Sequence, residues 1–218
     1  MPNENLLPAV IGTTIETVFT YVNSEIVAPG AGLVGSAVAN YLLKRNASAR
    51  DILRSELERT GATAEDFHDT EQFAAAALRY TRAVRDQAAD ENLRLLAQAM
   101  AGLARRETLW ASDFIRYADI LSVLSRDEIL LVGCLMREDA NAQAPEDPAE
   151  QIEVWNTVVA KLVGNGVFPS EAYLEAVTAR SQRTGLIIPT GTFDGGYRLS
   201  PIGRSLRHVV NIEQALRS

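Results

Sequence analysis

The sequence is poor in cysteine and histidine and has no excess of positive charge. A single cysteine among 218 residues, Cys134, cannot form a disulfide within the chain, so we expect a protein of a reducing compartment, the cytoplasm. Cys134 stands in the apolar run 129–136, which favours a buried thiol over a nucleophile. The formal net charge of −7 argues against a protein that wraps nucleic acid, because phosphate binding requires a basic surface. Residues 1–4 lack the positive segment of a secretory signal.

Metal and cofactor motifs are incomplete. Glu65 and His68 have the i, i+3 spacing of half a carboxylate-bridged di-iron site, but the second histidine, His208, has no carboxylate at the matching position. Residues 30–35, Gly-Ala-Gly-Leu-Val-Gly, have the spacing of a dinucleotide-binding loop. That loop requires a buried strand before it and a second strand after the helix, and the pattern contains neither. The sequence therefore predicts no cofactor, no metal and no catalytic residue, and so a non-enzymatic protein.

Helical periodicity dominates the first half of the chain. In the block 69–106, apolar residues recur at three- and four-residue steps, as they do along the buried face of a helix. The two sets are Phe73, Ala76, Ala77, Tyr80 and Val84, and then Leu93, Leu96, Met100 and Leu103. A polar interval at 86–92 separates them, so the block is one long helix or two in tandem. Further helices are expected over 5–23, over 48–60, and from Ser112, as the cap, to Leu124.

A second group of elements begins at Ser125. Ser125 and Glu128 fit a capping box that opens a helix over 126–138, and a polar loop is expected over 139–148. Two further helices follow, the second over 171–183. Their expected caps are Asp147 with Pro148, and Ser170; the expected inner face of the second is Tyr173, Leu174 and Val177. We therefore predict a helical domain over 1–124 and a second domain over 125–218.

The second domain ends in a hairpin and a helix. Residues 186–188 and 196–199 have the composition of short strands around a glycine-rich turn, and Ser200 and Pro201 open a last helix that reaches Ile212. The order helix, helix, helix, hairpin, helix resembles a winged-helix module. The residues that carry the resemblance are Arg-Thr-Gly-Leu-Ile at 183–187 and Tyr-Arg-Leu-Ser-Pro-Ile-Gly at 197–203. The expected fold is thus mainly α, an N-terminal helical bundle followed by a winged-helix-like module with one short β-hairpin.

A winged-helix module binds DNA when its recognition helix presents basic and amide side chains. The candidate contacts to nucleic acid or another anion are Arg180, Gln182, Arg183, Arg198, Arg204 and Arg207. The same helix has Glu171 and Glu175 at its entrance, and residues 125–218 contain nine basic and twelve acidic side chains. Because phosphate contacts dominate affinity, we expect a structural or protein-binding use of the fold, with a DNA-binding regulator as the alternative.

Residues 26–43 contain no charged side chain. Ala31, Gly35 and Ala39 stand at four-residue steps, the small-residue spacing that lets helices pack closely. At eighteen residues the segment is short for a bilayer, and Pro29 and three glycines weaken insertion further. We expect a helix packed within a bundle or against another subunit, with a membrane-acting effector as a second alternative.

The helical stretch and the winged-helix-like ending together are similar to bacterial abortive-infection alpha-type proteins, and this similarity implies a role in bacterial defence or regulation. The resulting hypothesis is a non-enzymatic helical interaction protein that binds a partner protein or itself.

Overall fold

The structure, a computed structural model, describes residues 9–26, 33–61, 70–104, 111–191 and 195–216. Within these ranges the chain forms ten α-helices and one antiparallel pair of short strands, so the expected class, mainly α with a short β-hairpin, is confirmed. The chain divides into two compact units, Met1–Val123 and Leu124–Arg217. The domain ranges drawn from the sequence stay a prediction.

The first unit is a bundle of amphipathic helices. Its elements are α1 (Ala9–Ile26), α2 (Leu33–Arg59), α3 (Thr70–Arg85), α4 (Asp90–Ala104) and α5 (Ala111–Leu121). Helix α2 packs against α4, α1 and α3, and α5 packs against α3 and α4. The bundle is held mainly by large side chains that are removed from water on these facing surfaces. The largest of them are Ile11, Ile15, Leu53, Leu57, Phe73, Tyr80, Leu93, Leu95, Leu96, Met100 and Phe114.

The central block is two helices in tandem, joined at residues 86–89. Gln87 adopts a φ of 62°, a conformation that ends a helix. The Arg45 guanidinium donates from Nε to the Val84 carbonyl at 3.1 Å, and from Nη2 to the Ala88 carbonyl. The Val84 carbonyl lies in the last turn of α3, where it also accepts from the Gln87 backbone N–H, and the Ala88 carbonyl lies in the connection to α4. Arg45 therefore joins α2 to the break between α3 and α4.

Two expected boundaries in the first unit were wrong. The uncharged stretch that ends at Leu43 and the polar helix predicted over 48–60 are one continuous helix, α2, because no glycine or proline interrupts residues 36–59. Ser112 is not a cap, since α5 begins at Ala111. An ion pair joins α5 to α3, with Arg79 Nη2 2.6 Å from Asp119 Oδ1.

The second unit begins with three helices and ends with a hairpin and two short helices. Its elements are α6 (Arg126–Asn141), α7 (Pro148–Val159), a π-helical turn (Ala160–Gly164), α8 (Glu171–Gln182), β1 (Ile187–Pro189), β2 (Tyr197–Leu199), α9 (Pro201–Leu206) and α10 (Ile212–Leu216). In the hairpin, Ile187 pairs with Leu199 and Pro189 pairs with Tyr197. This order of elements matches the expected one except at the C-terminal end.

The helix starts predicted for the second unit are confirmed. The Ser125 side chain accepts from the Glu128 backbone N–H while the Glu128 carboxylate accepts from the Ser125 backbone N–H, which is a capping box. Asp147 caps α7 ahead of Pro148, and Ser170 caps α8. These local hydrogen bonds satisfy backbone donors that have no partner inside the helix, which is why they can be recognised from sequence.

Three expectations for the second unit were wrong. Asp139 does not begin a loop, because α6 continues to Asn141. The last helix does not reach Ile212 unbroken, since residues 207–211 form a turn between α9 and α10. Tyr173 does not face the interior; its ring is 40% exposed and its hydroxyl donates to Asp127. That hydrogen bond raises the pKa of the Tyr173 hydroxyl.

In the Leu-Ser-Pro-Ile-Gly segment at 199–203, the contacts of Ser200 and Gly203 explain why these two residue types are present. The Ser200 hydroxyl donates to the Gly185 carbonyl and accepts from the Gly203 backbone N–H at 3.1 Å, so it caps α9 and ties it to the chain before β1. A Cβ on Gly203 would lie 2.5 Å from the Leu186 carbonyl oxygen. The helix can approach the strand this closely because residue 203 has no side chain.

Candidate functional site

The six candidate anion contacts lie on several elements of the second unit. Arg180 and Gln182 belong to α8, which ends at its cap residue Arg183. Arg198 lies in β2, while Arg204 lies in α9 and Arg207 is its cap residue. Whether any of these residues contacts nucleic acid stays a prediction, but their internal contacts differ sharply.

Arg204 and Arg207 are bound to the buried carboxylate of Asp139. Arg204 Nη2 lies 2.9 Å from Asp139 Oδ1, and Arg207 Nη1 lies 2.7 Å from Asp139 Oδ2. Arg204 Nη2 also donates to the Pro145 carbonyl at 2.8 Å. Asp139 is 3% exposed, so its charge depends on these donors for stabilisation. Both arginines therefore join α9 and the turn after it to the end of α6.

The remaining candidates are less fully engaged. Arg180 Nη2 is 3.8 Å from the buried Glu128 carboxylate, at the edge of ion-pair distance, and its side chain is otherwise exposed. Arg183 is exposed and donates from Nε to the Arg180 carbonyl. The Nε of Arg198 is buried and has no hydrogen-bond partner. Arg180 and Arg183 are thus the two exposed residues among the candidate arginines, whereas Arg198, Arg204 and Arg207 are half-buried.

A second buried carboxylate, Glu138, lies next to Asp139 in α6. Its Oε1 accepts from Lys161 Nζ at 2.7 Å and from Arg137 Nε at 2.9 Å. Burial by itself raises the pKa of Glu138, but the hydrogen bonds from Lys161 and Arg137 outweigh it and hold that pKa below its ordinary value. Arg137 also reaches α10, where its Nη1 donates to Glu213 Oε1 at 2.7 Å.

A cavity of about 540 Å³ adjoins this cluster. Its wall is formed by α6, by the π-helical turn and the residues after it, and by α10. Arg137, Lys161 and Glu213 contribute the charged part of the wall, and the Cys134 thiol is also part of it. Burial raises the pKa of that thiol, although the Arg137 guanidinium opposes the shift. Cys134 is buried as expected, and it is less acidic than an ordinary cysteine.

The sequence alone does not predict this cavity or its charged residues. Arg137 and Lys161 belong to different helices, and the π-helical turn that carries Lys161 has no recognisable pattern in the sequence. A weak signal was present, because Arg137, Glu138 and Asp139 are three consecutive charges that directly follow the apolar run containing Cys134. Three adjacent charges at the end of a buried helix must find partners or reach water.

The first unit has a different feature, an apolar helix face that is uncovered at one end. On α2, residues 38, 42, 49 and 52 lie on one side of the helix. Ala49 and Ile52 are buried, Leu42 is half-buried, and Val38 is 53% exposed. Tyr41, beside this line, is 51% exposed. The bundle therefore covers this face of α2 at its C-terminal part and leaves it open towards the N-terminal end.

Several predicted features lie outside the described residues: Glu65 and His68, and the first three glycine-loop positions, Gly30, Ala31 and Gly32. Among the residues that the structure does describe, no three His, Cys, Asp or Glu side chains are grouped so that they could hold a metal ion. No described helix combines the length and the hydropathy that a membrane crossing requires.

Comparisons with known proteins gave no significant similarity: no family model matches the chain, and neither a curated protein nor a solved structure does.

Proposed function

We propose that this chain is a non-enzymatic helical interaction protein that self-associates through the N-terminal part of α2. The observation that carries the proposal is the exposure of Val38 and Tyr41, each more than half accessible, in a part of the helix without charge. We call Val38, Tyr41, Leu42 and Leu43 the open end of α2.

The open end continues a face that is already used for packing. Farther along the same side of α2, Ala49, Ile52 and Leu53 are buried against neighbouring helices. An ordinary surface helix places polar residues where the bundle stops covering it. On α2, apolar residues continue beyond the part of the helix that the neighbouring helices bury. Exposed apolar surface of this kind is typical of protein interaction sites.

A second copy of this chain is the partner that the composition favours. Two copies of an uncharged face can meet about a twofold axis without bringing like charges together. Gly35 and Ala39, four residues apart, have small or absent side chains that let two helix backbones approach closely. Towards the buried part of the helix the open end is followed by Lys44 and by Arg45, which lies on the same face as Val38 and whose guanidinium is bound to the Val84 and Ala88 carbonyls.

The second unit supports binding to protein more than binding to DNA. Arg204 and Arg207, two of the six candidate anion contacts, are bound to Asp139 within the unit. Residues 125–218 contain twelve acidic and nine basic residues, an excess of three acidic ones. In our proposal the winged-helix-like order of elements has a structural role, and membership of a bacterial defence or regulatory system remains the context implied by resemblance.

Sedimentation analysis of the purified chain tests the proposal. We expect a dimer at concentrations of about 1 to 100 μM, and we expect the Val38→Asp and Tyr41→Asp variants to be monomers with unchanged helix content. Ser48→Asp is the matched control, because it adds the same charge to an exposed position of the same helix and should leave the dimer intact. A wild-type chain that stays monomeric throughout this range contradicts self-association.

A further inference from the structure

The cavity of the second unit has the size and lining of a small-molecule site. Its volume of about 540 Å³ falls within the usual range of ligand pockets. Its apolar lining consists of Leu130, Leu162, Val167, Ile212 and Leu216. Charged groups lie on one side of it, where Arg137 and Lys161 meet Glu138 and Glu213. A cavity that combines an apolar part with a few convergent polar groups is suited to an amphipathic ligand.

The charges in the wall determine the charge of the ligand. Glu138 is buried and binds both Arg137 and Lys161, so it belongs to the framework of the unit. Glu213 is nearly half exposed and lies on the short helix α10. If Glu213 turned outward, two cations would face one framework carboxylate, which leaves one net positive charge. That charge matches a monoanion, and a dianion would exceed it.

Glu213 shows where the anionic group would bind. Its Oε1 accepts from Arg137 Nη1 at 2.7 Å, the distance of a charge-assisted hydrogen bond. A carboxylate is therefore already accommodated at this corner of the cavity, and it is supplied by the chain itself.

We propose that the cavity binds a small amphipathic monocarboxylate, whose apolar part occupies the space beside Leu130 and Leu216 and whose carboxylate replaces Glu213 on Arg137. This proposal does not depend on the function proposed for α2. It assigns to the second unit a ligand site in which Glu213 is an internal competitor of the ligand.

Two features of the backbone build this site. The π-helical turn Ala160–Gly164 carries both Lys161 and Leu162, which line the cavity. Single π-helical turns within α-helices occur frequently at functional sites, because the extra residue redirects the side chains. The second feature is Gly133, where a Cβ would lie 2.5 Å from Ile212 Cγ2. Its missing side chain lets α10, with Glu213, approach α6.

Decanoate is the probe for the test, with decanol and decylamine as neutral and cationic ligands of the same apolar length. Calorimetric titration of the full chain, with each probe kept below its micelle concentration, should show saturable binding of decanoate alone. The single cysteine gives a second readout, since Cys134 lies in the cavity wall. Its labelling by N-ethylmaleimide should slow in proportion to the fraction of chain that has decanoate bound.

Substitutions at the charged corner separate this site from general hydrophobic binding. Glu213→Gln should bind decanoate more tightly than wild type, because it removes the competing carboxylate. Arg137→Gln should bind about tenfold more weakly or worse, since it removes a charge-assisted hydrogen bond. Glu175→Gln is the matched control, as it removes one negative charge from an exposed position of α8 and should leave the affinity unchanged.

If Arg137→Gln does not fold, Glu213→Gln still tests the proposal. Glu213 is about half exposed, so its substitution should leave the chain folded. Absence of decanoate binding would overturn the proposal. Equal affinities for decanoate and decanol would overturn it as well, and so would an affinity for decanoate that Glu213→Gln does not raise.

Discussion

Arg204, in α9, donates from Nη2 to Oδ1 of Asp139 in α6 at 2.9 Å, across 65 positions of sequence. The carboxylate is almost completely buried, and Arg207 occupies its other oxygen at 2.7 Å. The pair joins the first helix of the second unit to the helix that follows the hairpin. In a candidate DNA-binding module an arginine is ordinarily expected to contact a phosphate group. Arg204 instead binds a carboxylate of its own unit, Asp139.

We predict that Asp139→Asn destabilises the chain by about 2 to 4 kcal/mol. Loss of one member of a buried ion pair leaves its partners without compensation, and here two guanidinium groups lose an anion. The cost stays in the lower part of the usual range, because the arginine side chains are about a quarter exposed and retain some contact with water. Urea denaturation followed by circular dichroism measures the difference in unfolding free energy.

Glu16→Gln is the control for this prediction. It removes a carboxylate that also binds two arginines, Arg50 and Arg54, but Glu16 is 44% exposed and the two arginine side chains are 35% and 40% exposed. Exposed ion pairs contribute little, so the change should be below about 1 kcal/mol. Equal costs for the two substitutions would show that burial of Asp139 does not determine the strength of its ion pairs.

The helices were predictable because their signals are local. The capping box at Ser125 and the Asp147-Pro148 helix start each depend on residues within a few positions of one another. The break of the last helix was not predictable in this way. Residues 207–211 contain neither glycine nor proline, and the turn is accompanied by the contact of Arg207 with Asp139, a residue 68 positions away.

We predict that Gly203→Ala destabilises the second unit by about 2 kcal/mol or more, the cost of overpacking against groups that cannot move. The added Cβ would meet the Leu186 carbonyl oxygen at 2.5 Å and Leu199 Cδ2 at 3.1 Å. The Leu186 carbonyl oxygen belongs to the backbone directly before β1 and has little freedom to move. The added Cβ must therefore displace α9 away from the hairpin. Thermal and urea denaturation both report this change.

Gly164→Ala provides the comparison within the same unit. No atom lies within 4 Å of a Cβ built at Gly164, so this substitution should be neutral or stabilise by up to about 1 kcal/mol. The prediction fails if both alanine variants are as stable as wild type, since Gly203 would then not be required for close approach.

Glu138 gives a pH-dependent prediction. Although burial opposes it, hydrogen bonds from Lys161 and Arg137 hold the pKa of Glu138 in the folded chain below the ordinary value of 4.5. The carboxylate therefore stabilises the fold above that value, and this contribution is lost as the pH falls through the lowered pKa. We expect wild type to exceed Glu138→Gln by about 1 to 2 kcal/mol in unfolding free energy at pH 7 and to lose that advantage progressively as the pH falls below 4.5.

Lys161→Gln tests the stated cause of the shift. It keeps the Glu138 carboxyl but removes one donor, so the pKa of Glu138 should rise towards its ordinary value and the dependence of stability on pH should weaken. Unfolding free energies measured at intervals from pH 7 to 3 give both comparisons. A difference between wild type and Glu138→Gln that does not change with pH would contradict the prediction.

The candidate sites were less predictable than the helices because they depend on distances between elements. From sequence, residues 26–43 were notable for their lack of charge, but only the structure shows that Val38 is exposed while Ala49, on the same face, is buried. The cavity beside Arg137 depends on the approach of α10 to Gly133. A glycine in mid-helix does not reveal which side chain lies against it.

DNA binding is the alternative function with the most direct test, and we predict that it is weak and insensitive to the candidate arginines. The second unit is net acidic, and the exposed candidate Arg180 lies 3.8 Å from the buried Glu128 carboxylate. Nonspecific binding typically has a Kd of about 10⁻⁴ to 10⁻⁶ M at physiological salt. We expect duplex DNA to bind no more tightly than this.

The double variant Arg180→Ala/Arg183→Ala should change that affinity by less than about threefold, because each phosphate contact contributes mainly through counterion release and few such contacts are available. Arg82→Ala/Arg116→Ala removes the same charge from exposed positions in the first unit and is the matched control. Fluorescence anisotropy at several salt concentrations gives both the affinity and its salt dependence. Tight binding that falls steeply with salt and is lost in the Arg180→Ala/Arg183→Ala variant, but kept in the control, would instead establish a DNA-binding regulator. That result would also mean that α8 uses its exposed C-terminal arginines despite the glutamates at its entrance.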